Sequence, residues 1–166
     1  MKIRTKIIAF TAVALITWIP MGQVAIGETG EHEVPSDNEL AHHYKPNLLA
    51  VFVGVTHEGS ESGLSLGIEY EMRLNESFGI GVLAEHTSGD LDIWVYAIPL
   101  AYHIRSWKFY IAPGVVDGSH GSESLVRLGG AYAFEVGSWE IAPQLNAEFV
   151  EGNEALVLGI TIGKGF

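Results

Sequence analysis

The chain has 166 residues, nine Lys or Arg against twenty Asp or Glu, 48% apolar residues and no cysteine. The formal charge of −11 excludes the basic footprint that nucleic-acid binding needs, and the absence of cysteine excludes disulfides and thiolate metal sites. The length suits one domain.

The first element is a signal peptide over residues 1–27. Lys2, Arg4 and Lys6 precede an apolar run from Ile7 to Ile19, and Ala25 and Gly27 supply small residues before a cut after Gly27. The run is short for a membrane helix, which needs about 20 apolar residues. Processing removes three basic residues and no acid. That leaves six against twenty, a net charge of −14. No later segment is apolar enough for a membrane helix, so the apolar content must be dispersed.

Residues 28–46 read as an acidic, His-containing periplasmic leader without periodicity, disordered by composition. It holds His32, His42 and His43, and imidazoles and carboxylates are ligands for Zn²⁺, Cu²⁺ or Ni²⁺. No spacing there fixes a geometry, so the expectation is no metal and no cofactor.

From Asn47 onward the period is two, as in strands whose successive side chains face opposite ways. Leu49, Val51, Val53 and Val55 form the apolar face of a first strand near Leu48 to Glu58. In the second, Leu64, Leu66, Ile68, Tyr70, Met72 and Leu74 oppose Ser65, Gly67, Glu69, Glu71 and Arg73. The third sets Phe78, Ile80, Val82 and Ala84 against Gly79, Gly81, Leu83 and Glu85. Equivalent alternations run through Trp94 to His103, Lys108 to Val115, Val126 to Glu135, Trp139 to Phe149 and Leu156 to Gly163. Turn signals separate them: Gly59 to Ser62, Asn75 to Ser77, Ser88 to Asp90, Arg105-Ser106, Asp117 to Ser122, Gly137-Ser138 and Glu151 to Asn153. Links this short make antiparallel hairpins. The expectation is an all-β chain: an eight-stranded antiparallel up-and-down transmembrane β-barrel over residues 47–166.

Volume decides which face points outward. Eight strands enclose a space only just filled by side chains. The apolar faces carry roughly four to six large residues each and would overfill it, whereas the opposite faces are rich in Gly and Ala. The apolar face therefore meets lipid, the pattern of a membrane barrel. With both termini periplasmic, Phe78, Tyr102, Trp107, Phe134, Trp139 and Phe166 fall near one rim, with Trp94 and Phe149 toward the other, as interfacial aromatics do.

The ending Val157-Leu158-Gly159-Ile160-Thr161-Ile162-Gly163-Lys164-Gly165-Phe166 resembles the closing strand of outer-membrane barrels. Ile98-Pro99-Leu100-Ala101-Tyr102 and Arg127-Leu128-Gly129-Gly130-Ala131-Tyr132 are similar to phrases of small porin-like barrels. The resemblance to small eight-stranded outer-membrane proteins implies a Gram-negative outer-membrane location. It also implies that Phe166 is an assembly signal read by the barrel-assembly machinery. Outer-membrane lipid is the expected surrounding, and a monomer the expected state.

The inward faces carry Glu69, Glu71, Arg73, Glu85, Arg127, Glu135, Glu140 and Glu148, with His103 and Lys108 available. Buried charges must pair, so the expectation is a salt-bridged, closed interior and a non-enzymatic barrel, structural or interaction-mediating. The excess of acid leaves open a narrow, cation-preferring pore. A third reading comes from His86 and Ser88, which share a face. The pair resembles the His/Ser pair of lipid A deacylases, which implies His86 as general base and Ser88 as nucleophile of a lipid A-modifying hydrolase. The flanking residues do not match that family's phrase.

Overall fold

The computed structural model describes residues 45–119 and 121–166. Polar–apolar alternation becomes ten strands: β1 Asn47–Glu58, β2 Glu61–Arg73, β3 Phe78–Thr87, β4 Ile93–Ala97, β5 Leu100–Ile104, β6 Trp107–Gly118, β7 Gly121–Tyr132, β8 Phe134–Val136, β9 Trp139–Val150 and β10 Asn153–Gly165. β4 with β5, and β7 with β8, each form one stave. The ten segments are thus eight staves, each antiparallel to its neighbours.

β10 pairs with β1 from Leu48↔Gly165 to Glu58↔Ala155, which closes the sheet into a barrel. The seam ends with Asn47 and Phe166 exchanging backbone hydrogen bonds of 3.0 and 2.9 Å. Closure removes the free edges of β1 and β10, the device by which a sheet survives in lipid.

Leu49, Val51, Leu66, Ile68, Val82, Ile111, Leu145 and Ile160 are all about half exposed, while Phe52, Ala112 and Val157 are fully buried. The apolar residues thus face outward and the lumen takes the small and polar ones. Most staves have 12 or 13 residues, more than the roughly 9–11 that cross a bilayer.

Two details depart from the pattern read in the sequence. The links are shorter than the polar runs: β1 and β2 reach Glu58 and Glu61, and β6 and β7 reach Gly118 and Gly121. Backbone pairing does not require apolar side chains, so polar residues beyond the apolar band continue the ladder. The fourth stave is split between Ala97 and Leu100. Pro99 has no N–H to donate there, although the register is the same on both sides of the break.

The lumen is packed rather than hollow. Leu83, Ala97, Ala101, Tyr110 and Ala112 form one apolar cluster. Val95, Val116 and Leu125 form another toward the loop end, with Ile93 and Val150 against it. Phe52 lies over the backbone of Gly54 and Gly159, where a methyl group at either glycine would overlap its ring. Tyr110 lies over Gly129 in the same way.

Candidate functional site: a plugged lumen beneath an acidic mouth

The inward positions bring most of the expected charges into two clusters. Toward the loop end, Arg127 is 0% exposed. Its Nε donates to Glu148 Oε1 at 2.7 Å, its Nη2 donates to the same oxygen, and its Nη1 donates to Glu85 Oε2 at 2.7 Å. Glu148 is Arg127's ladder partner on β9, whereas Glu85 is on β3, separated from β7 by two staves one way round the ring and four the other, so that it is reached only through the lumen. The guanidinium fork suits this task because its donors are planar and fixed.

Near this cluster, Thr56, Ser65 and Thr87 form a buried ring of hydroxyls at 2.6, 2.8 and 3.3 Å. Tyr110 Oη donates to Asn146 Oδ1 at 2.7 Å.

The second cluster lies toward the end that holds Asn47 and Phe166. Lys108 Nζ is 3.5 Å from both Glu69 Oε2 and Glu71 Oε2. His103 Nε2 lies 2.6 Å from Glu71 Oε1. Arg73 reaches Glu71 and Glu140, each at 3.7 Å, and Gln144 Nε2 donates to Glu69 Oε1 at 3.3 Å.

One expected member stands apart. Glu135 faces Glu140 in the ladder but is exposed on β8. Its inward parity is right. Its height is wrong, because β8 extends past the packed lumen.

Above the Arg127 cluster the barrel opens into a mouth of about 300 Å³, lined by Glu58, Glu61, Asp90, Glu123, Glu148 and Asn153 among others. Glu58 ends β1 at the hairpin. Burial raises the pKa of its carboxyl, and the charges of Glu61 and Glu123 raise it further. Among the described residues the rim above Arg127 carries Glu58, Glu61, Asp90, Asp92, Asp117, Glu123, Glu151 and Glu154, and no Lys or Arg. Lys45, Arg73, Arg105, Lys108 and Lys164 belong to the opposite half.

His86 and Ser88 have other partners. His86 Nε2 is 3.2 Å from Asp92 Oδ1, and its ring stacks on Trp94 with centroids 4.7 Å apart. Ser88 Oγ donates to the Leu64 carbonyl at 3.1 Å. The described residues include no cluster of three or more His, Asp or Glu arranged to hold a metal. His32, His42 and His43, and the cut after Gly27, lie outside the described residues.

The aromatic residues gather into groups on the exterior. Phe78 packs on Tyr102 at 5.3 Å, and Trp107 on Tyr132 at 5.0 Å, which packs in turn on Phe134 at 4.8 Å. Trp94 stacks on Tyr96 toward the loop end.

No protein-family model and no curated protein matches the sequence. Solved structures do match the fold. A de novo designed transmembrane β-barrel aligns with a TM-score of 0.53 at 12% identity, over 72% of this chain and 98% of the design. Ail, the attachment invasion locus protein of Yersinia pestis, aligns with a TM-score of 0.51 at 12% identity, over 74% of this chain and all of Ail. The N-terminal β-barrel domain of Pseudomonas aeruginosa OprF aligns with a TM-score of 0.51 at 11% identity, over 74% and 98%. At such identities the likeness concerns architecture: the chain is a closed eight-stranded antiparallel barrel of the kind found among outer-membrane proteins.

Proposed function

We propose that this chain is a non-enzymatic outer-membrane barrel, structural or interaction-mediating, with a closed lumen and both termini on the periplasmic side. The observation that carries this reading is Arg127, wholly buried between Glu85 and Glu148 in a lumen whose opposite face to lipid is apolar. A guanidinium tied to two staves across the lumen blocks the axis and cross-braces the wall. Removing either partner strands a buried charge, so the plug resists opening. Phe166, paired to Asn47 at the seam, is the assembly signal in this reading. Lipid is the main partner, because hairpins as short as Gly59-Ser60 and Glu151-Gly152 offer little surface to a protein.

The acidic mouth favours a second reading, a narrow cation-preferring pore. A hydrolase needs nucleophile, base and oxyanion donor at one point. The bonds of Ser88 to Leu64 and of His86 to Asp92 give that reading no support.

Planar-bilayer recording separates scaffold from pore. The proposal expects insertion, heat-modifiable migration on a gel and no steady conductance. Steady, cation-selective current would replace it with the pore. Recovery of the chain wholly in a soluble periplasmic fraction would overturn the membrane assignment itself.

A further inference from the structure

One register row rises across five strands on the inward side, from the plug to the rim: Arg127 on β7, Glu148 on β9, Ala155 on β10, Glu58 on β1 and Glu61 on β2. The row sets three carboxylates against one guanidinium, and that guanidinium is already shared with Glu85. Glu58 and Glu61 are direct ladder partners, and like charges in that position repel. Glu148 forms the floor of the mouth and is 2% exposed. Both of its bonds from Arg127 end on Oε1. Its Oε2 has no hydrogen-bond partner among the described residues, and it is not sealed into the packed lumen. A carboxylate oxygen so deeply placed costs free energy until a donor reaches it.

The rest of the wall decides which donor fits. Leu91, Ile93, Val116, Val150 and Ala155 line the mouth beside the acids, so the cavity of about 300 Å³ has an apolar side as well as a charged one. Val116 is the ladder partner of Glu123, and there the two kinds of wall meet. Among the described residues no three acids converge as a bound metal ion needs. An anion would meet carboxylates without a lysine or arginine. A cation that carries several N–H donors on an apolar body would meet both parts of the wall with matching chemistry.

We infer that the mouth binds a small organic amine, a primary ammonium on an apolar body. The ammonium lies between Glu148 and Glu58, across the short side chain of Ala155, and the body rests against Ile93, Val116 and Val150. Arg127 closes the axis beneath, so the site is a dead end and the inference rests on the closed-lumen reading above. The short hairpins around the mouth give a protein little to grip, which confines the occupant to a small free molecule.

The test is isothermal titration calorimetry of the full chain folded in a non-ionic detergent, with titrations into empty micelles subtracted. The probes are phenethylammonium, phenethyl alcohol and magnesium chloride: charge with body, body alone and charge alone. The wild type should bind the ammonium about tenfold more tightly than either other probe. Glu58→Gln with Glu148→Gln should weaken ammonium binding by about tenfold, and Val150→Phe, which fills the cavity, should abolish it. Equal affinity for magnesium would reduce the rim to a diffuse counter-ion surface and overturn the inference. Equal affinity for the alcohol, or ammonium binding unchanged in either variant, would overturn it as well. Heat-modifiable migration checks that each sample is folded. A Glu148→Gln protein that does not shift is replaced by Glu58→Gln with Glu123→Gln, for which the same loss is expected. Planar-bilayer recording keeps the two readings apart. Ammonium binding together with steady current would sink the closed lumen and leave the site, whereas no binding in a chain without current would sink the site alone.

Discussion

Arg127 and Glu85 meet at 2.7 Å across the lumen, from staves that are not neighbours in the sheet. The pair does more than neutralise charge, since it ties opposite walls of the barrel. Arg127→Met should destabilise by about 3–5 kcal/mol, because Glu85 and Glu148 are left buried without a cation. Adding Glu85→Gln and Glu148→Gln should recover most of that loss. Urea unfolding in lipid vesicles, followed by tryptophan fluorescence, reads both. A triple variant as unstable as the single one would show that packing, not charge, sets the cost.

Lys108 serves two acids at once, Glu69 and Glu71. Lys108→Met should therefore cost clearly more than Glu69→Gln, which leaves Lys108 with Glu71. The expected difference is about 2 kcal/mol, in the range of an unpaired buried charge. The same unfolding assay ranks the two. Equal effects would mean that the remaining partners of Glu71, His103 and Arg73, hold it fully in place of Lys108.

Phe52 covers Gly159 so closely that a β-carbon there would overlap the ring and the Val53 carbonyl. Gly159→Ala should destabilise by about 1–3 kcal/mol through overpacking. Phe52→Leu should relieve part of that cost, so the double variant should be less unstable than the two single effects summed. Strict additivity would mean that the backbone contact alone is responsible.

Glu58 supplies a pH test at the mouth. Its carboxyl has a raised pKa in the fold, so ionising it opposes folding. The stability linked to this group is fully present below the unfolded value of 4.5 and is lost as pH rises through the higher folded value. Glu58→Gln should leave stability unchanged below pH 4.5 and raise it modestly at neutral pH. Urea midpoints measured between pH 4 and 8 give the profile. A variant less stable than wild type at neutral pH would reverse the sign and show that the charge has a favourable partner.

A strand's faces follow from parity, and parity is written in the sequence. That is why the outward-facing set around Leu49, Ile68, Val82 and Ile160 is legible residue by residue. The same alternation, with Gly and Ala opposite the large residues, fixes the closed barrel and the sense in which it is turned. Inward parity also names Glu69, Glu71, Glu85, Arg127 and Glu148 as lumen residues. Parity says nothing of height or partner. Glu135 shares the inward parity yet stands exposed on β8, and Ser88 shares the parity of His86 yet bonds to Leu64. Which carboxylate meets which cation depends on how far each stave is shifted against the next around the closed ring. Arg127 finds Glu148 along its own ladder but finds Glu85 only because closure brings β3 across the lumen from β7. The sequence determined the faces, because side-chain direction is a local property of the strand. The tertiary structure decided the contacts, because register and closure are properties of the whole ring.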